Sequence, residues 1–248
     1  MATSLRSVLA TLLLSLSLAP IAALAEAPAP PADTPADRLV LAPLNLGVAV
    51  APELEAGVEP VWQALLDHVE SQPTRAASLQ PESAQALWAQ AVASLEESEA
   101  GDLHAVYGRF AQVLAEHFEF RTLVMPVLVT RVASLRGEHA HWDGVRRRAD
   151  MPSELELDQS KLMSLGFLDT RMRIRGELGA ASLHVVVLDA DGNMLHEGKG
   201  GLDLLHELRR RGSRFETALR DDAFGDPKDL REGVEQALSA AIPAAPAP

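Results

Sequence analysis

The sequence predicts an α+β fold, with a mixed or antiparallel sheet, helices packed on one face of that sheet and a helix at the C-terminal end. Three observations lead to this class. Apolar residues recur at helical spacing in the first half, between short apolar runs typical of strands. Strand-like segments then cluster between residues 122 and 198. An amphipathic segment at 227–238, preceded by the capping residue Asp226, predicts the closing helix.

Helices and strands alternate in the first half of the chain. Val61, Leu65 and Val69 recur at helical spacing, and Pro73 ends this helix because the residue before a proline avoids the α region. Pro81 suits the first turn of a helix, where its missing N–H costs no hydrogen bond. The predicted elements are, in order, a strand at 38–44, a helix at 58–69, a strand at 75–79, a helix opening at Pro81 and a third helix after Asp102.

The second half is rich in strand-forming residues. The run 122–135 (TLVMPVLVTRVASL) is apolar on both faces in its first half, as a central strand requires. The run 182–188 (SLHVVVL) has the strongest strand pattern, and the segment 189–193 predicts a hairpin turn in which Gly192 takes a positive φ. The predicted strands of this half are 122–135, 139–147, 171–175, 182–188 and 194–198.

The N-terminal 25 residues have the pattern of a cleavable signal peptide. Arg6 precedes an apolar stretch that is too short to span a bilayer, and Ala23-Leu24-Ala25 fits the cleavage rule. We therefore expect a periplasmic protein with cleavage near Ala25 and no transmembrane segment after it. The chain has no cysteine, so no lipid anchor is expected. The predicted organisation is a signal peptide at 1–25, a Pro/Ala-rich linker at 26–37, a single domain at 38–242 and a disordered tail at 243–248.

Composition and missing motifs narrow the functional classes. The net charge of -13 opposes nucleic-acid binding, which depends on neutralising phosphates. Only 4% of the residues are aromatic, too few for a surface that stacks bases. The sequence contains no G-x-S-x-G, G-x-G-x-x-G or P-loop pattern. We therefore expect no cofactor and a protein that is not an enzyme.

The segment His139-Ala-His141-Trp-Asp143 has the strongest pattern for chemistry. In a strand these three polar residues share one face, and two imidazoles with a carboxylate can bind zinc or iron. The spacing resembles the H-x-H-x-D core of metallo-β-lactamase-type hydrolases, although Gly144 replaces the histidine that follows in that motif. The alternative function is thus a metal-dependent hydrolase or metal-binding protein. The favoured interpretation is an exposed hairpin strand with Trp142 packed inward.

Two arginine clusters stand out in this acidic protein. They can meet anionic partners such as lipid head groups or acidic envelope polymers. The favoured alternative is a solvated end of a strand or helix. The clusters consist of Arg146, Arg147 and Arg148, and of Arg209, Arg210 and Arg211.

The segment 185–198 (VVVLDADGNMLHEG) and the order of the preceding elements resemble known envelope domains. They are similar to the amino-terminal domain of TolB and to the periplasmic domain of the curli secretion channel. The resemblance implies a non-enzymatic binding or assembly module of a Gram-negative envelope. The implied partner is another envelope protein or an envelope polymer.

Overall fold

The computed structural model describes residues 38–72, 75–96, 101–150, 175–211 and 214–239. They belong to the compact unit that spans residues 35–248. The predicted signal peptide, the linker at 26–37, the tail at 243–248 and residues 171–174 of a predicted strand lie outside the described residues. No helix in the described ranges is long and apolar enough to cross a bilayer.

The α+β class, the mixed sheet and the C-terminal helix are confirmed. The helices of the described residues are α1 (Val58–Glu70), α2 (Pro81–Ala93), α3 (Leu103–Ala115) and α4 (Pro227–Leu238), with a short 3-10 turn at Pro52–Gly57. The strands are β1 (Arg38–Leu41), β2 (Arg75–Ser78), β3 (Thr122–Arg136), β4 (His139–Trp142), β5 (Val145–Arg148), β6 (Arg175–Leu188), β7 (Met194–Leu204), β8 (His206–Arg211) and β9 (Arg214–Leu219). The carboxylates of Asp102 and Asp226 cap α3 and α4 by accepting hydrogen bonds from the backbone N–H groups of His104 and Lys228.

The long strand β3 organises the main sheet. Its first residues pair in parallel with β1, which pairs in parallel with β2 on its other side. Its last residues pair with β4 instead, and β4 pairs with β5. Along nearly its whole length β3 pairs antiparallel with β6, which pairs with β7. Strands β8 and β9 form a separate two-stranded sheet that the sequence analysis did not predict.

Helices cover both faces of the sheet, whereas the sequence analysis expected them on one face. Leu39 and Leu41 pack with α1 and α4, and the alternate residues Val40 and Ala42 pack with α2 and α3. The topology explains this arrangement. The crossover from β1 to β2 runs toward one edge of the sheet. The crossover from β2 to β3 runs past β1 toward the other edge. Because such crossovers are right-handed, opposite directions place their helices on opposite faces.

Close packing of α4 on β7 depends on glycine. A Cβ atom at Gly198 or Gly200 would overlap the backbone carbonyl oxygen of Ala237 or Gly233 on α4. These glycines therefore let the helix backbone approach the strand directly. The predicted strand ends at residue 198, but β7 continues through the following glycines to Leu204.

The predicted single strand at 139–147 is wrong, because the segment forms a hairpin of β4 and β5. Asp143 and Gly144 make its two-residue turn, with φ values of 34° and 79°. Asp-Gly is a preferred pair for such turns, since both central residues take positive φ. The hairpin extends the main sheet, and the Trp142 indole N–H donates to the carbonyl oxygen of Ala181 at 3.1 Å.

Candidate functional site

The β4–β5 hairpin separates its side chains into two faces. Ala140, Trp142 and Val145 are buried in a small apolar core with Leu135 and Leu178. The alternate residues face away from this core. They are His139, His141, Arg146 and Arg148.

The strand register aligns the outward residues in two rows that cross four strands. Residues paired across neighbouring strands share one face of a sheet. The first row, from β6 to β5, is Arg175, Arg136, His139 and Arg148. The second row is Glu177, Ser134, His141 and Arg146. We call these eight residues the basic face.

Positive charge on the basic face is only partly balanced. Arg148 pairs with Glu138, which lies in the turn before β4, at 3.6 Å. Arg136, Arg146 and Arg175 make no ion pair within the described ranges. Like charges directly opposite one another on a sheet destabilise it. Arg136 and Arg175, which lie directly opposite each other on β3 and β6, therefore repel one another.

The predicted metal ligands do not converge. His139 and His141 share a face of β4 as expected, but Asp143 lies in the turn and does not follow them. The carboxylate of Asp143 accepts a hydrogen bond from the Arg131 guanidinium at 3.2 Å. Across the strands, His139 and His141 are flanked by basic residues and a serine, as the two rows show. Within the described part of the chain, no three potential ligands among His, Cys, Asp and Glu lie close enough to hold one ion.

Arg147 does not belong to the basic face. Its side chain is 12% exposed and points to α4, where it pairs with Asp229 at 3.2 Å and with Glu232 at 2.8 Å. The side-chain amide of Gln236 also donates to the carbonyl oxygen of Asp143 at 2.9 Å. These contacts fix the hairpin against the C-terminal helix. The first arginine cluster thus divides into two outward residues and one structural residue.

The two arginines of the second cluster whose side chains are described are neutralised within their own hairpin. Arg209 pairs with Glu207 on the same strand, and Arg211 pairs with Glu216 on β9 at 3.4 Å. The side chain of Arg210 lies outside the described residues. Among its described side chains, this hairpin consequently offers less unbalanced charge than the basic face.

A buried acidic centre precedes α4, and the sequence analysis missed it. The Asp203 carboxylate accepts hydrogen bonds from the backbone N–H of Phe224 at 2.6 Å and from Arg220 at 3.0 Å. Burial raises the pKa of the Asp203 carboxyl, and these donors oppose that shift. A cavity of about 570 Å³ lies beside it, lined also by Asp150 and Asp222. Because Asp203 anchors the backbone that leads into α4, its contacts are structural.

A second polar group lies on the β6–β7 hairpin. His184 shares a hydrogen bond of 2.8 Å with Glu197, whose carboxylate also pairs with Lys199 at 3.2 Å. Burial lowers the pKa of His184, and Glu197 opposes the shift. Burial also lowers the pKa of His68, which lines a groove of about 380 Å³ between α1 and α4. The predicted turn at 189–193 joins β6 to β7, but a register shift between Val187 and Leu188 places His184 opposite Lys199, so the turn alone gave no signal for this contact.

No protein-family model matches the chain, and no curated protein matches its sequence. Among the described residues, the basic face aligns four exposed arginines across neighbouring strands, of which Arg136, Arg146 and Arg175 make no ion pair there.

Proposed function

We propose that this chain is an exported, non-enzymatic binding module of a Gram-negative envelope. It acts in the periplasm, and the basic face is the surface that meets its partner. The signal-peptide pattern at 1–25 supports export. The observation that carries the proposal is the row of Arg175, Arg136, His139 and Arg148 across four strands.

The basic face is held in place before any partner arrives. The residues between its members, such as Trp142 and Val145, are buried in the small core beneath it. Arg147 ties the same hairpin to α4 through Asp229 and Glu232. A rigid surface loses little conformational entropy on binding, which favours affinity.

The charge of the whole chain favours an anionic partner that binds in one orientation. The net charge is -13, so most of the surface repels a polyanion. The basic face is a local exception to that field. Such a distribution steers an anionic partner to the face and disfavours its binding elsewhere.

The other polar centres support a role without catalysis. Asp203 anchors the backbone ahead of α4, and His184 joins two neighbouring strands through Glu197. The segment 185–198 forms the hairpin on which the resemblance to envelope binding domains rests, and the Asp189 carboxylate accepts the backbone N–H of Asn193 at 2.8 Å. Each of these groups is occupied in holding the fold together.

The test is sedimentation of purified residues 26–248 with washed envelopes of a Gram-negative bacterium. We expect the protein to sediment and to be released by salt, because the contacts are electrostatic. The double variant Arg136→Gln/Arg146→Gln should bind about tenfold more weakly, since two charge-assisted contacts are lost. The matched control, Arg38→Gln/Arg231→Gln, removes the same charge from exposed residues elsewhere and should sediment like wild type. Equal sedimentation of both double variants would overturn the proposal.

A further inference from the structure

We infer that binding of an anionic partner to the basic face is coupled to the uptake of protons by His139 and His141. This inference rests on the proposed function and describes how binding at the same surface is regulated. It follows from three features of the face: the central position of the two imidazoles, the residues opposite them and the small formal charge that the face carries without them.

The two imidazoles lie in the middle of the basic face. Both belong to β4, which has β3 on one side and β5 on the other. They point away from the small core that holds Ala140 and Trp142, and His141 is exposed while His139 is half-buried. Histidine is the side chain that commonly changes its charge between pH 5 and 8. An anion that lies across the strands therefore meets two groups whose charge can change.

Arginines lie opposite His139 on both neighbouring strands. Arg136 is its partner on β3, and Arg175 follows on β6. Arg148 is its partner on β5 and pairs with Glu138 at 3.6 Å. Protonation of His139 in the unbound protein places one more cation in this row, and like charges opposite one another on a sheet repel. A nearby negative charge favours the protonated form of an imidazole, so an anionic partner stabilises the imidazolium.

His141 has a different environment in the second row. It lies opposite Ser134 on β3 and Arg146 on β5, and Glu177 on β6 is the acid of this row. Neighbouring strands lie about 4.8 Å apart, which separates the backbones of Glu177 and His141 by roughly 10 Å. This exceeds the screening length of about 8 Å at physiological salt. Protonated His141 consequently remains available to an anion beside Arg146.

The two protons matter because the basic face carries little net charge without them. Its four arginines less Glu177 give a formal charge of +3, and two imidazolium groups raise it to +5. The turn that follows adds no counter-charge, since Asp143 is already paired with Arg131 at 3.2 Å. The affinity for a polyanion should therefore rise as the pH falls. Since linkage is reciprocal, binding should then take up protons.

The experiment measures binding of purified residues 26–248 to dextran sulfate, a polyanion whose sulfate groups stay ionised throughout this pH range. We expect the affinity to be about tenfold higher at about pH 5.5 than at about pH 8, because two ion pairs are gained. Isothermal titration calorimetry near pH 6.8, in buffers with different heats of ionisation, should show an uptake of about half a proton per chain. Linkage requires an uptake of this size for a tenfold change in affinity.

Two double variants separate the titrating charges from the permanent ones. His139→Gln/His141→Gln should bind dextran sulfate like wild type at about pH 8, lose most of the rise at about pH 5.5 and take up almost no protons. Arg136→Gln/Arg146→Gln should bind more weakly at both pH values, because two permanent charges of the face are lost. A purely structural role of the two histidines would not change the proton uptake.

The matched control is His104→Gln/His117→Gln, which removes two exposed imidazoles in and just after α3. It should keep the wild-type affinities and proton uptake, although it shares the general loss of negative charge that acid causes. The inference fails if this control loses the rise as strongly as His139→Gln/His141→Gln does. It also fails if His139→Gln/His141→Gln keeps the rise and the uptake of wild type.

The outcomes also separate this inference from the proposed function. Binding at the face that does not change with pH overturns the coupling, while a face-dependent envelope interaction keeps the proposed function. Absence of dextran sulfate binding at both pH values overturns the inference as well. If, in addition, envelope sedimentation does not depend on the basic face, both proposals fail.

Discussion

The two ends of the main sheet differ in how they are covered. The helix-covered part comprises β1, residues 122–129 of β3 and residues 182–188 of β6, and it carries helices on both faces. The open part comprises residues 130–136 of β3, β4, β5 and residues 175–181 of β6. One face of the open part closes over a small core, and the other is the basic face.

Strand β3 shows both patterns of burial. Residues 123–128 of β3 are buried without interruption, whereas residues 132–136 alternate between exposed and buried. Continuous burial requires a layer on each side, and alternation indicates a layer on one side only. The fold thus derives its stability mainly from one end of β3 and β6 and presents the basic face at the other. Substitutions that separate stability from binding test this division.

The largest effect is expected for the acid that anchors α4. Asp203→Ala leaves Arg220 without its buried partner and removes the acceptor for the Phe224 backbone N–H. We expect a loss of about 4 kcal/mol in the free energy of unfolding, measured by urea denaturation. The control Asp222→Ala removes an exposed partner of the same arginine and should cost less than about 1 kcal/mol. Equal losses in the free energy of unfolding would show that Asp203 stabilises the fold no more than the exposed Asp222 does.

The second largest effect is expected at a glycine of β7 that lies under α4, and a glycine of the open part serves as its control. Gly200→Ala places a methyl group against the backbone of Gly233, so α4 has to shift, and we expect a loss of about 3 kcal/mol by urea denaturation. Gly176→Ala lies on β6 in the open part, where a Cβ meets no atom within 4 Å. Its free energy of unfolding should stay within about 0.5 kcal/mol of wild type. A large loss at Gly176 would contradict the openness of that end.

The sequence predicted the elements of the fold better than their arrangement. Helical spacing and caps located α1 and α4 to within a residue, because these signals lie in neighbouring residues. The placement of α2 and α3 on the opposite face depends on strand order, which local periodicity does not contain. The turn at Asp143-Gly144 was recognisable from its residue pair, although the motif His-x-His-x-Asp drew the interpretation toward a strand.

The candidate site was predictable in its residues but not in its extent. Alternation placed His139 and His141 on one face, and the arginine cluster supplied Arg146 and Arg148. Arg136 joins the first row through the local β3–β4 hairpin, whereas Arg175 joins it only through the pairing of β3 with β6, which are distant in sequence. The inward position of Arg147 likewise depends on where α4 packs. Register between distant strands is a tertiary property that a single sequence leaves open.

A smaller effect is expected from pH, and it comes from the helix-covered part. Burial lowers the pKa of His184 and of His68 below the ordinary value of 6.5. Below about pH 6.5 the unfolded chain therefore binds more protons than the folded protein, so the free energy of unfolding falls as the pH falls. The variant His68→Gln/His184→Gln should show a shallower fall between about pH 7 and about pH 5, measured by urea denaturation at each pH.

The control for the pH experiment is His139→Gln/His141→Gln on the basic face. It leaves the half-buried imidazoles of His68 and His184 in place, so the fall that they cause should persist. The same slope in the His68→Gln/His184→Gln variant would mean that burial of these two histidines does not couple folding to protons. The carboxyl of Asp203, whose pKa burial raises, is present in every variant and cancels from the comparison.

The smallest effect is the most informative about the basic face. Arg136 lies opposite Arg175 and beside His139, so Arg136→Gln relieves repulsion and should stabilise the fold by about 0.5 kcal/mol at low salt. Urea denaturation should show this gain disappearing near 1 M salt, where the screening length is only about 3 Å. Arg231→Gln removes one positive charge from the exposed surface of α4, away from the basic face. Because the chain has a net charge of -13, this loss should slightly destabilise the fold. Opposite signs for the two variants would show that the open part keeps its arginines at a cost in stability, as a surface built for an anionic partner requires. A loss of stability in both would mean that the row carries no internal repulsion, and the physical basis of the proposed function would be removed.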